Sequence, residues 1–406
     1  MSQLANDPAT AEHPPAPPRR RSRRAQLALA LLGTCAALVA AEFGVRAFFP
    51  GADGFYEYPP GLRRTFLPAV ELLPGLTERV HFDVNSLGLR GDEAPPGAAY
   101  RILAVGGSTT QCAYVDQPDS WPMRVQALLE EACAERGSGP PVWVANAGRS
   151  GFTSRRHVVQ LRHLLEQGPH FDAVLLLVGV NDLANRLKSG DQEPPLEDMT
   201  WEGVSTAECF TFVPTEADDR DPFLKRLGLF RAAKVLEVRA SMPAEERVGQ
   251  EYVKWRANRR GASEIRAELP DLSRALEAYR HNLAECAAIA REHGARLILI
   301  DQPSLWRADL PEKVHRLLWL GGVGDYQHER GLPYYSIPAL AEGMQRYNDT
   351  LHELAADAGL ESIHLAEQVP KDPRHFYDDV HFNVQGSRAV GAAIAGYLLD
   401  RPPFSD

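Results

Sequence analysis

The sequence predicts an α/β protein: a three-layer α/β/α sandwich, flavodoxin-like, with a five-stranded parallel sheet and a single N-terminal transmembrane helix ahead of it. Three observations predict this. Short apolar runs alternate with helical periodicities from about residue 101 to the C-terminus. Several of those runs are apolar throughout, as strands covered on both faces require. And 17 residues without a charge, 25–41, follow a cluster of arginines.

Residues 1–24 hold Arg19, Arg20, Arg21, Arg23 and Arg24 against Asp7 and Glu12. The stretch PPAPPRRRSRRAQ has nothing to bury and reads as a disordered, basic, cytoplasmic tail. The chain as a whole has a formal net charge of −10, so everything after this tail is strongly acidic. That balance argues against a nucleic-acid partner for the folded part. Residues 25–49 read as a transmembrane signal anchor, with Glu42 and Arg46 near its end able to snorkel or pair at i,i+4. Arginines ahead of the span place the N-terminus in the cytoplasm and the bulk of the chain outside. A cleaved signal peptide ending at Val39-Ala40-Ala41 is the alternative. Either way the remainder is exported.

Residues 50–97, rich in Pro and Gly, form a connector, and 98–402 a folded domain. Its expected strands are RILAV (101–105), VWVANA (142–147), DAVLLLVG (172–179), RLILID (296–301) and ESIHLA (361–366). Between them, SWPMRVQALLEEACAERG sets Val125, Leu128, Leu129 and Ala132 on one helical face behind Ser120 as N-cap and Pro122 in the first turn. PDLSRALEAYRHNLAECAAIAREHG does the same with Leu272, Leu276, Tyr279, Leu283, Cys286 and Ala290, and Gly294 ends it. NVQGSRAVGAAIAGYLL is a closing helix with Asn383 as N-cap. Two connections, about 186–270 and 303–338, are too long for simple loops. The first holds two helical stretches, 223–238 and 244–260. Both leave the carboxyl edge of the sheet, so they rise as a cap around whatever site lies there.

Cys35 falls in the apolar span, leaving Cys112, Cys133, Cys209 and Cys286, whose possible pairings the sequence leaves open. No Cys/His spacing suggests a metal, and no cofactor fingerprint is present. In particular, ILAVGGSTTQ (102–111) ends a strand in two glycines and Ser108, but it matches neither the P-loop nor the GxGxxG pattern.

Ser108 gains meaning from its company. NAGRSGFTS follows the second strand, VGVND follows the third, and FYDDVHFN follows the fifth. All arrive at one edge. A serine hydroxyl needs a base to take its proton, and His381 supplies one. The imidazole needs a carboxylate, here Asp378 or its neighbour Asp379. A developing oxyanion needs donors: the backbone N–H groups of Ser108 and Gly151 and the side-chain amide of Asn181. Taken alone, Asn181-Asp182 also reads as a helix cap.

These four blocks resemble an SGNH hydrolase of the GDSL lipase/esterase superfamily, over roughly residues 100–400. The block I serine matches Ser108 in GGSTT. The block II glycine best matches Gly151, with Gly148 as the alternative register. The block III asparagine matches Asn181, and the last block's pair matches Asp378 and His381. VNSLGLRGDE (84–93) is similar to a stretch of membrane-anchored bacterial members. One departure stands out: block I commonly reads GDS, and here Gly107 replaces the aspartate.

The resemblance implies a serine esterase that works through an acyl-enzyme without metal or cofactor. Its partners are an acylated small molecule, glycan or lipid, with envelope polysaccharide acetyl groups favoured by location. An acyltransferase on the same site and a non-catalytic binding module of the same fold are the alternatives. Trp201, Trp255, Trp306, Trp319, Tyr326, Tyr334 and Tyr335 in the insertions either line a cleft or pack the insertions together.

Overall fold

The computed structural model describes residues 22–48, 56–97, 99–210 and 227–405. The expected disordered tail lies outside them up to residue 21, as do the first residues of the expected helix 223–238. The uncharged run sits within one helix, α1 (Arg23–Phe48), long and apolar enough to cross a membrane and equally compatible with a signal sequence. Near its end Arg46 Nε and Glu42 Oε1 pair at 2.7 Å across one turn.

All five expected strands form, as β1 (Tyr100–Gly106), β2 (Val142–Asn146), β3 (Ala173–Leu177), β4 (Arg296–Ile300) and β5 (Glu361–Ile363). They lie in the order β5-β4-β3-β1-β2, every neighbour parallel. β2 and β3 are buried at every position, which is why their sequences show no alternation. Crossovers between parallel strands carry the helices that cover the sheet. On one face α3 (Trp121–Arg136) packs against the closing helix, and on the other α4 (Ser154–Gln167) packs against Ser273–Glu292. After β1 the chain turns towards β2, and after β2 it crosses back to β3. The direction of winding therefore reverses between β1 and β3, where open parallel sheets leave a crevice.

Two short helices start in that crevice, α2 (Ser108–Gln111) and α5 (Val180–Lys188). Beyond them lie α6 (Gly228–Ser241), α7 (Glu251–Arg260), α8 (Ser273–Glu292), α9 (Ile337–Ala358) and α10 (Val384–Leu399). Asn383 caps α10 as expected, accepting from Gly386 N at 3.0 Å. Ser120 stands at the N-cap of α3, but its hydroxyl donates to Gln117 O at 2.8 Å instead of capping.

The expected helix 244–260 forms only in part. Glu245–Val248 is a strand, and α7 begins at Glu251. The reason lies far away in sequence: residues 63–68 present a free strand edge, and Glu245–Val248 pairs with it in parallel. Residues 80–83 pair antiparallel on the other side. Tyr58, Phe66, Val80, Phe82 and Val248 make a small core under this sheet. The segment between α1 and β1 thus builds part of the cap. The two insertions also meet each other, Ile265–Arg266 pairing with Tyr334–Tyr335.

None of the five cysteines is paired. Cys286 is buried in α8 and Cys133 half-buried in α3.

Candidate active site

Each strand end contributes for a local reason. β1 runs into Gly107, which caps α2, and Ser108 is the first residue of that single turn. α5 begins at Val180, so Asn181 and Asp182 fall inside its first turn rather than capping it. Their side chains reach sideways to the β2–α4 loop. Asn181 Nδ2 donates to Phe152 O at 2.8 Å. The Asp182 carboxylate accepts from Ser154 N at 3.0 Å and Ser154 Oγ at 2.5 Å. Burial pushes Asp182 up to about 6 despite those bonds. An amide nitrogen carries two N–H groups, so one of Asn181's remains for a ligand.

Beyond β5, Phe376 and Phe382 bridge antiparallel, and Tyr377 N donates to His381 O at 3.1 Å. The turn so closed brings Asp378 Oδ1 onto the N–H groups of Val380 (3.0 Å) and His381 (2.8 Å). Asp378 Oδ2 lies 2.7 Å from His381 Nδ1, and His381 Nε2 lies 2.7 Å from Ser108 Oγ. The Tyr377 ring stacks on the imidazole at 5.5 Å. Trp319 Nε1 donates to Asp378 Oδ2 at 3.0 Å.

The electrostatics follow. Burial alone raises a carboxyl pKa, but the facing His381 and these donors outweigh it and hold Asp378 below its ordinary value. Burial depresses an imidazole, yet the Asp378 charge and hydrogen bond outweigh that and raise His381. Asp379, the other sequence candidate, points away. Its carboxylate accepts from Trp319 N (2.7 Å), Leu320 N (3.3 Å) and Trp306 Nε1 (2.9 Å), and so pins the second insertion. Burial and the neighbouring Asp378 charge push Asp379 up.

The two glycines separate cleanly. Gly148 N donates to Asn146 Oδ1 at 2.8 Å, and a Cβ there would run into the backbone of α2. Gly148 is therefore a close-packing position with its N–H already used. Gly151 has φ +76°, which an L side chain rarely adopts, and it faces open space. Gly107 explains its own identity. A Cβ at that position would stand 2.5 Å from Asn181 Nδ2.

Ser108, Gly151, Asn181 and His381 all line one cavity of about 510 Å³. Of the seven insertion aromatics singled out from the sequence, Trp255, Trp319 and Tyr326 line it. Trp306, Tyr334 and Tyr335 are buried in the packing of the insertions, and Trp201 stacks with the Arg162 guanidinium at 4.7 Å. Sequence reasoning missed Tyr114, Tyr252 and Tyr377, and also Arg64 and Phe66 from the connector. Nothing local marks those residues, because the cavity wall they form is made by long-range pairing.

One further group was invisible in the spacing. Asp301, His352 and His364, at the ends of β4 and β5 and on α9, bring potential ligand atoms within 4.8 Å of one another. Asp301 and His352 are already engaged: Asp301 accepts from Ala366 N at 2.8 Å and meets His352 Nε2 at 3.1 Å, while His352 Nδ1 meets Ser362 Oγ at 3.1 Å.

A family model described as the GDSL-like lipase/acylhydrolase family matches residues 104–389. The chain belongs to that family. This GDSL-like hydrolase is accordingly an ester-bond hydrolase with an α/β fold. Solved structures similar to it include LAE5, an alpha/beta hydrolase from the metagenome of Lake Arreo, at 14% identity and TM-score 0.37, covering 74% of this chain and 95% of that one. TesA matches at 15% identity and TM-score 0.37, over 75% and 99%. A mutant of Axe2, an acetyl-xylooligosaccharide esterase from Geobacillus Stearmophilus, matches at 13% and 0.38, over 73% and 93%. No curated protein matches the chain.

Proposed function

We propose that this GDSL-like hydrolase is a serine esterase acting through an acyl-enzyme on Ser108, on the outer side of a bacterial cytoplasmic membrane. The observation that carries the reading is the unbroken chain from Ser108 Oγ through His381 to Asp378, 2.7 Å at each link. His381 Nε2 takes the hydroxyl proton as Oγ bonds to the ester carbonyl carbon. The N–H groups of Ser108 and Gly151 and the Asn181 amide hold the oxyanion that forms. When the oxyanion collapses, the C–O bond to the alcohol breaks, and His381 returns the proton to the departing alkoxide. Water, deprotonated by the same imidazole, then releases the acid. Asp378 keeps the imidazole in the right tautomer and steadies its charged form.

For substrate we favour acetylated envelope glycans. The cavity wall joins aromatic faces such as Trp255 and Tyr252 to polar side chains such as Gln111 and Gln327, the mixture that suits sugar rings. The anchor reading of α1 would hold the site beside such polymers.

The experiment compares wild type with Ser108→Ala on p-nitrophenyl acetate, and then on a series of longer acyl chains. Ser108→Ala is expected at background, with acetyl preferred. Equal activity of the two proteins would sink the enzyme reading. Protease treatment of intact spheroplasts is expected to digest the catalytic domain from outside, and protection there would overturn the topology.

A further inference from the structure

Ser108 sits on a helix of one turn, which has no intrinsic stability in water. Its C-terminal carbonyls all find side-chain donors from elsewhere in the chain. Trp121 Nε1 donates to Thr109 O at 3.1 Å and Asn146 Nδ2 to Thr110 O at 2.8 Å. The last two, Gln111 O and Cys112 O, both accept from Arg90 Nη1, at 2.6 and 2.7 Å. Cys112, where the turn ends, has φ +51° and is the only described non-glycine residue with positive φ, so the end of the helix is strained and needs an outside hold.

We infer that Arg90 is a positioning residue for Ser108, clamping the C-terminal end of the nucleophile's helix from the segment ahead of the sheet. The inference rests on the reading of Ser108 as the nucleophile. Arg90 is 1% exposed, and its backbone is bonded in both directions to Asn146 at the end of β2. The guanidinium spends its remaining N–H groups on Gln117 Oε1 (3.1 Å), Val115 O (2.8 Å) and His81 O (3.3 Å), with the Phe82 ring packed on it at 4.7 Å. A fork so fully occupied has one orientation. It fixes α2 against β2 and thereby sets where Ser108 Oγ meets His381. Gly107 makes the need greater, because it offers no side chain to hold the turn from its other end. Arg90 lies ahead of residues 104–389, which the family model matches, within the stretch 84–93. Lysine cannot replace it, since an ammonium has three donors at one point and cannot reach both carbonyls and Gln117.

The test uses the full-length chain in detergent. Arg90→Lys, Gln117→Leu, Ser108→Ala and the distant core variant Leu129→Ala are compared with wild type on p-nitrophenyl acetate, below the Tm of each. A displacement of Ser108 on the order of 1 Å costs roughly 100-fold. Arg90→Lys is therefore expected to lower kcat about 10- to 100-fold with KM within about threefold. The rate of inactivation by a p-nitrophenyl phosphonate, which reports attack by Ser108 alone, should fall in parallel. Leu129→Ala, with a comparable loss of Tm, should keep kcat per folded molecule. Overturning results are an Arg90→Lys kcat within threefold of wild type, or an equal loss in Leu129→Ala. Should Arg90→Lys fail to fold, Gln117→Leu decides, because it keeps the charge and removes only one acceptor. A several-fold kcat loss at constant KM supports the inference, and an unchanged kcat overturns it. Activity surviving in Ser108→Ala would instead strike the underlying function reading.

Discussion

Gly107→Ala should damage this hydrolase far more in rate than in stability. Backbone strain is not the issue, since Gly107 has φ −77°. The new Cβ would stand 2.5 Å from Asn181 Nδ2, against an ordinary contact of about 3.5 Å, so the amide must retreat by ~1 Å. Retreat stretches the 2.8 Å bond to Phe152 O and withdraws a donor from the cavity. Loss of one oxyanion donor costs about 2.7–4 kcal/mol of transition-state stabilisation, or roughly 100- to 1000-fold in kcat. Stability should fall by less than ~1 kcal/mol, because the displaced atom is the end of a side chain. The same argument covers Gly107→Asp, which would restore the commoner GDS reading and which resemblance alone would score as harmless. The assay is kcat/KM on p-nitrophenyl acetate beside thermal melts, repeated in an Asn181→Ala background. If the amide carries the effect, Gly107→Ala should cost almost nothing further in that background. A Gly107→Ala enzyme within about threefold of wild type, or one whose loss persists in full without Asn181, would refute the reasoning.

Asp378→Asn should lower kcat by about 10⁴-fold, by the tautomer argument of the serine-protease template, with Tm and far-ultraviolet dichroism tested to show that the fold remains. The base must be neutral to work, so kcat/KM should rise with pH along a limb set above the ordinary imidazole value of about 6.5, and that limb should move down in Asp378→Asn. Linkage gives the pair opposite signs: His381's raised pKa adds stability present at low pH and lost as pH climbs through it, whereas Asp378's lowered pKa adds stability present above its unfolded value and lost as pH falls through the folded one. Glu57 is pushed up to about 7 by burial, from 4.5, against the opposing pull of Arg149 and Gln160; its folded form binds the extra proton, so stability drops as pH rises through that window, by at most about 3 kcal/mol. Denaturant midpoints at pH 5 and pH 8 should show that slope flattened in Glu57→Gln, and an unchanged slope would contradict the assignment. All five thiols are unpaired, so dithiothreitol should leave Tm where it is and denatured protein should titrate five thiols.

The sheet was legible because its strands advertise themselves locally: DAVLLLVG has to be covered on both faces wherever it lies. That Ser108, Gly151, Asn181, Asp378 and His381 would meet was legible because each follows a strand and belongs to a recognisable block. Choices between neighbours were not. Asp378 and Asp379 are both fully buried, and only the turn closed by Phe376 and Phe382 decides which one faces the imidazole. Gly148 and Gly151 differ only in what stands beside them. Glu245–Val248 looked helical because nothing local reveals that residues 63–68 wait for a partner. The stretch 84–93 drew notice only by resemblance, and what Arg90 does in it was hidden for the same reason, since its five donors are satisfied by carbonyls and a glutamine nine or more residues away.

Consecutive carboxylates have a consequence for how this enzyme can change. On the proposed mechanism Asp378 steers the base, while Asp379 tethers the backbone of Trp319 and Leu320, whose side chains wall the cavity. Trp319 then reaches back to Asp378 through its indole. Specificity and reactivity therefore share a single peptide unit as their joint. Grafting a relative's loop between residues 303 and 338 would not be a modular exchange, because a new wall must also supply two backbone donors and a ring donor for Asp379 and one ring donor for Asp378. Lineages that alter what this cavity admits would have to renegotiate the strength of the base in the same step.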